Sequence, residues 1–146
     1  MEKSKIIFAV YLFLAVYCAG SMTVLQLQHF ALYRKVGKEN FKKYLQANNK
    51  AAVLPAILPA LLLFVSTIIL LFYRPSFMPF NIAILSLILN SINLVSTAIW
   101  QGRLHGQLAE IGYSESLINQ LVNTNWIRTA ALFIQGVIAV YTSITQ

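Results

Sequence analysis

Four apolar runs constrain this chain more than any other feature in it. They cover about residues 6–33, 51–73, 80–101 and 124–145. A helix rises 1.5 Å per residue, so each run can cross a hydrocarbon core of about 30 Å. A soluble fold has no way to bury four such stretches within 146 residues. Charge agrees with this: only 10% of residues are charged, against about 25% in a soluble domain. Backbone polar groups in lipid must be satisfied internally, and helices do that within one segment. The expected fold class is therefore all-α, an integral membrane four-helix bundle forming a single transmembrane domain over 1–146.

Lys3 and Lys5 precede the first run, as in a secretory signal. The uncharged stretch continues to Tyr33, well past the hydrophobic region of such a signal, so a retained helix is expected. Tyr17 before Cys18 is also unlike a lipoprotein site, which takes small residues there. Cys18 is the only cysteine, which excludes an internal disulfide and any CxxC metal spacing. Gly20 and Ser21 would let a neighbouring helix approach closely.

The segment RKVGKENFKKYLQANNK, residues 34–50, is basic. Phe41, Tyr44 and Leu45 fall at i, i+3 and i+4, predicting a short amphipathic helix in the headgroup region; a plain basic loop is the alternative. Pro55 and Pro59 lie one turn apart in the second run and predict a kink or loosened first turns. RPSFMPF, residues 74–80, is a tight turn between antiparallel helices. In the third run Ser86, Asn90, Asn93, Thr97 and Gln101 share one helical face, which should point into the bundle. The segment 102–123 reads as a return to the polar side, with Ser114 as an N-cap. Arg128 lies about one turn inside the fourth run and can extend toward the interface.

These assignments place segments 34–50 and 102–123 on one side. That side carries Arg34, Lys35, Lys38, Lys42, Lys43, Lys50, Arg103 and, at its edge, Arg128. The other carries Lys3, Lys5 and Arg74. The positive-inside rule makes the first side cytoplasmic, with both termini outside, as in a bacterial inner membrane. The net charge of +7 is thereby explained without nucleic acid. The expected partners are the lipid bilayer, a small amphiphilic ligand and further copies of the chain.

Polar residues converge on the basic end. Gln26 and His29 end the first helix. Asn93, Thr97 and Gln101 end the third, with His105 beyond, and Asn125, Trp126 and Arg128 begin the fourth. The far half of the bundle is expected to be apolar. His105 and Arg128 are the candidate catalytic pair. Gln26, His29, Asn93, Thr97, Gln101, Asn125 and Trp126 are the candidate ligand-binding residues. Neither histidine has a carboxylate or thiolate at helical spacing, so no metal site is expected. No phosphate-binding loop or Ser/His/Asp set is present, and the cofactor is left open.

The stretch STAIWQGRLHGQLAEIGYSESLINQLVNTNWIRTAALFIQGVIAV, residues 96–140, resembles a group of small bacterial four-helix membrane proteins carrying an "LHGxL…G…LxxxNWxRTxxW" run. VGKENFKKYLQANNK is similar to their "VGxxxFxxYHxxH" segment. More distantly the chain resembles the DUF1772 or anthrone-oxygenase-like membrane families. The likeness falls on His105, Asn125, Trp126 and Arg128. Leu45 and Asn48 stand where that pattern often has histidines. QANNKAAVLP bears a weaker likeness to the second helix of MAPEG-type glutathione enzymes, without their glutamate and arginine. The main resemblance implies a fold, and an oxidoreductase in which Arg128 anchors an anion or polarised oxygen, His105 moves a proton, and Asn93 and Asn125 orient the ligand. The alternatives are a structural or accessory membrane protein whose polar residues only pack helices, and a subunit of an oligomeric transporter or channel.

Overall fold

The computed structural model describes residues 2–145. Five helices follow one another: α1 (Glu2–Lys35), α2 (Lys38–Ala51), α3 (Val53–Tyr73), α4 (Phe80–Ile111) and α5 (Glu115–Ile144). α1, α3, α4 and α5 are long and apolar enough to cross a membrane. They pack in the order α1, α3, α4, α5 around a ring that α5 closes on α1. Large apolar side chains stay exposed along all four, among them Phe13, Leu54, Phe72, Ile88 and Phe133. Water would penalise faces of that extent, whereas lipid suits them.

Two apolar cores are stacked along the bundle. The first gathers Phe8, Tyr11, Leu14, Leu63, Leu70, Met78 and Leu132, among others. There α1 and α5 approach closely: a Cβ on Gly136 would stand 2.8 Å from the Ala19 Cβ. Ala15, Ala19 and Gly136 are thus the small residues of the contact. Gly20, expected in that role, has nothing within 4 Å of the place a Cβ would occupy.

The second core, at the basic end, departs from the sequence expectation. The interval 102–123 lies at the basic end with 34–50, but it is helical apart from a short turn. α4 continues to Ile111, α5 begins at Glu115, and only 112–114 lie between them. Gly112 makes the turn at φ +91°, a conformation open to glycine. Ser114 caps α5, its hydroxyl accepting from the Leu117 N–H at 3.5 Å. The extensions hold because α2 covers them. Phe41 and Leu45 are fully buried against Phe30, Tyr33, Leu104, Leu108, Ile118 and Leu121. The apolar stripe of α2 therefore packs on protein rather than lying in headgroups. Gln46 Nε2 donates to the Ala109 carbonyl at 3.1 Å, and Arg34 donates to Asn119 Oδ1.

Candidate functional site

Three of the long helices widen into π-helical turns, all near the basic end. They are Leu25–His29 in α1, Val53–Ile57 in α3 and Thr97–Gln101 in α4. Each inserts a residue into the helical ladder and opens it locally; such turns often occur at functional sites. The cause is plainest in α3. Pro59 has no N–H, so the Pro55 carbonyl lacks its α-helical donor. The Tyr17 hydroxyl of α1 donates to that carbonyl at 2.9 Å instead.

Residues from all three turns line one cavity of about 550 Å³. Its walls include Val24, Leu25, Phe30, Pro55 and Ile57. Its polar groups include His29, Asn48, Thr97, Gln101, His105 and Arg128. His29 and His105 share an aromatic support. The His29 ring meets Tyr33 edge-on at 5.1 Å, and the His105 ring lies 5.9 Å from Phe30 and 6.4 Å from Tyr33. Tyr33 is fixed in turn by Asn48, whose Nδ2 donates to its hydroxyl at 3.0 Å.

Arg128 is held by a belt of neutral amides. Its Nε donates to Asn93 Oδ1 at 3.1 Å and its Nη1 to Asn125 Oδ1 at 3.0 Å. Asn125 Nδ2 donates to Gln26 Oε1 at 2.7 Å, and Gln26 Nε2 to the Val122 carbonyl at 3.2 Å. The belt thus ties α1, α4 and α5 together beneath the guanidinium. Among the described residues Nη2 has no hydrogen-bond partner. The chain's four acidic residues are Glu2, Glu39, Glu110 and Glu115, and none of them lines the cavity. Two other lining residues each carry a polar atom that is buried without a partner, Gln101 Oε1 and His105 Nδ1. The Gln101 amide nitrogen is engaged, donating to the Thr124 hydroxyl at 3.0 Å.

Of the residues singled out by sequence, His29, Thr97, Gln101, His105 and Arg128 come together at the cavity. Gln26, Asn93 and Asn125 are buried beside it and do not line it. Trp126 is half exposed on the outer face of α5, away from the lining. Tyr17, Ser21, Asn48 and Asn49 line the cavity but were not foreseen; the Pro55 and Pro59 pair was the one local signal for that wall. Among the described residues no three His, Cys, Asp or Glu side chains group to hold a metal ion.

In the far half Ser86 and Asn90 are buried, as their stripe predicted, and Ser66, Thr67, Gln135 and Thr142 are buried as well, which the sequence did not imply. The Tyr11 and Ser86 hydroxyls are 2.8 Å apart, and both amide atoms of Gln135 lack partners. Each helix hides a few polar groups in an otherwise apolar run, so hydropathy averages them away.

Comparison with family models, with curated proteins and with solved structures finds no match.

Proposed function

We propose that this is an integral membrane protein whose basic-end cavity binds a small amphiphile through an anionic or strongly polarised headgroup. One observation carries the reading: Arg128 presents a cation to the cavity with only neutral amides as partners. A partly buried charge without a counter-charge is costly, and an arginine within a helix bundle is a functional signal by default. A bound anion would supply the missing charge, and the unspent Nη donors can form a forked pair with it. The packing role fits Gln26, Asn93 and Asn125, which hold Arg128 in place. His29, Gln101 and His105 are left to face the ligand. The oxidoreductase implied by the anthrone-oxygenase resemblance would use the same cavity, with Arg128 on a polarised oxygen and His105 as proton acceptor. In our reading the basic end faces the cytoplasm of a bacterial cell.

The test is thermal unfolding in nanodiscs with added dodecanoate or dodecanol. A ligand that binds only the folded state raises the melting temperature. The acid should stabilise the wild type, the alcohol should do so less, and Arg128→Met should abolish the difference. Equal effects of acid and alcohol on both proteins would refute the reading.

A further inference from the structure

The walls of the cavity say where its occupant comes from. Beyond Arg128 the lining runs along a seam between α1 and α3. Tyr17, Ser21 and Val24 form one side; Ala52, Pro55, Ala56 and Ile57 form the other. Both lips reach the outer surface of the bundle. Tyr17 is 38%, Val24 55% and Ile57 48% exposed, on helices whose outer faces carry exposed Leu54, Leu58 and Leu61 nearby. One side-chain hydrogen bond crosses the seam, from the Tyr17 hydroxyl to the Pro55 carbonyl. It exists because Pro59 withholds the helical donor. At the same level α3 is π-helical and carries the small residue Ala56, with Ala52 just before its start. A seam that is apolar, loosened in its helical geometry and crossed by one side-chain hydrogen bond offers a path toward lipid. The polar head of the cavity lies beside the second core, in which Phe30 and Tyr33 are buried under α2.

We infer that the cavity takes a single-chain lipid acid sideways from the bilayer, its acid group on Arg128, its chain in the α1–α3 seam, and the Tyr17–Pro55 contact as latch. The inference rests on the ligand-binding reading above and deepens it. The volume of about 550 Å³ falls in the ~300–1,000 Å³ range of small-molecule sites. That accommodates one headgroup and one chain. An aqueous anion would gain nothing from the apolar seam, since its affinity would reside in the forked pair alone. A chain adds affinity with each methylene it buries.

The experiment uses the full chain reconstituted in phosphatidylcholine nanodiscs, with palmitate, a lysophosphatidate of equal chain length, and butyrate as probes. Palmitate, or the lysophosphatidate, should raise the melting temperature of the wild type and not of Arg128→Met; which of the two acts names the headgroup. Butyrate at equal free concentration should not. Exchange of bound for labelled palmitate should quicken about two- to tenfold in Tyr17→Phe, the consequence of losing one hydrogen bond. It should slow in Ala56→Phe, where a ring fills the seam. Tyr17→Phe keeps the aromatic ring, so it tests the latch even if Ala56→Phe folds poorly. Arg128-dependent stabilisation by butyrate equal to that by palmitate would overturn the inference and leave a water-facing anion site. So would wild-type exchange in Tyr17→Phe. No Arg128-dependent effect from any of the acids would overturn the ligand-binding reading itself.

Discussion

Asn125→Leu and Arg128→Met remove opposite ends of one hydrogen bond, and their costs should differ sharply. Asn125 accepts from Arg128 Nη1 at 3.0 Å and donates to Gln26 Oε1 at 2.7 Å. Leucine of similar size deletes both interactions. The charged bond is worth about 1.5–3 kcal/mol. The neutral interhelical bond is worth about 0.6 kcal/mol by the average for membrane bundles. The cation is then left with one amide partner, and the loss should total about 2–4 kcal/mol. Arg128→Met acts differently. It strands two amide oxygens, at about 1–3 kcal/mol each. It also relieves the partial burial of an ion with no counter-charge, a cost of up to several kcal/mol. These offset, and the ligand-free protein should change by within about 1 kcal/mol. The assay is unfolding by sodium dodecyl sulfate in mixed micelles, followed by helical circular dichroism, on delipidated protein. Combining the two substitutions should recover part of the Asn125→Leu loss, because no stranded cation remains. If Arg128→Met cost more than Asn125→Leu, Arg128 would be a stabilising strut and the counter-charge reasoning would fail.

Other substitutions probe the frame around the site. Gly136→Ala forces a methyl to within 2.8 Å of the Ala19 Cβ; overpacking costs about 1–3 kcal/mol and better helix propensity returns about 1, so a net loss of up to about 2 kcal/mol is expected in the same assay. Gln135→Met removes a buried amide that makes no hydrogen bond of good geometry and has the Tyr11 hydroxyl as its polar neighbour, and should gain up to about 1–3 kcal/mol; a loss would mean the amide is satisfied in the folded protein. Leu45→Glu places a carboxylate in a fully buried position and should release α2. Trypsin would then cut at Lys42 and Lys43, while the wild type resists; equal resistance would show that α2 does not depend on that contact.

The parts of the fold that could be read from sequence were those with a strong local period. The four long helices, the α2 stripe of Phe41 and Leu45, the Ser114 cap and the loosening at Pro55 and Pro59 all follow from residues a few positions apart. The α4 and α5 extensions do not. Leu104, Leu108, Ile118 and Leu121 look sparse among polar neighbours until α2 is laid across them. The stripe on α4 told which face turns inward, but not what each residue does there. Asn93 is used by Arg128, Gln101 reaches Thr124, and Thr97 bonds back to the Asn93 carbonyl at 2.7 Å. Those divisions depend on where α1 and α5 stand. The α1–α3 seam was hidden for the same reason: Tyr17 and Pro55 acquire meaning only as a pair. Nothing in LQLQH or TAIWQ marks a π-helical turn.

The central claim is that Arg128 awaits an anion from the membrane. Native mass spectrometry of the wild type and of Arg128→Met, released gently from the membranes that expressed them, addresses it most directly. The wild type should carry an added mass that fragments to a single-chain acid, and Arg128→Met should emerge without it. An unliganded wild type, or the same lipid retained equally by both proteins, would contradict the account.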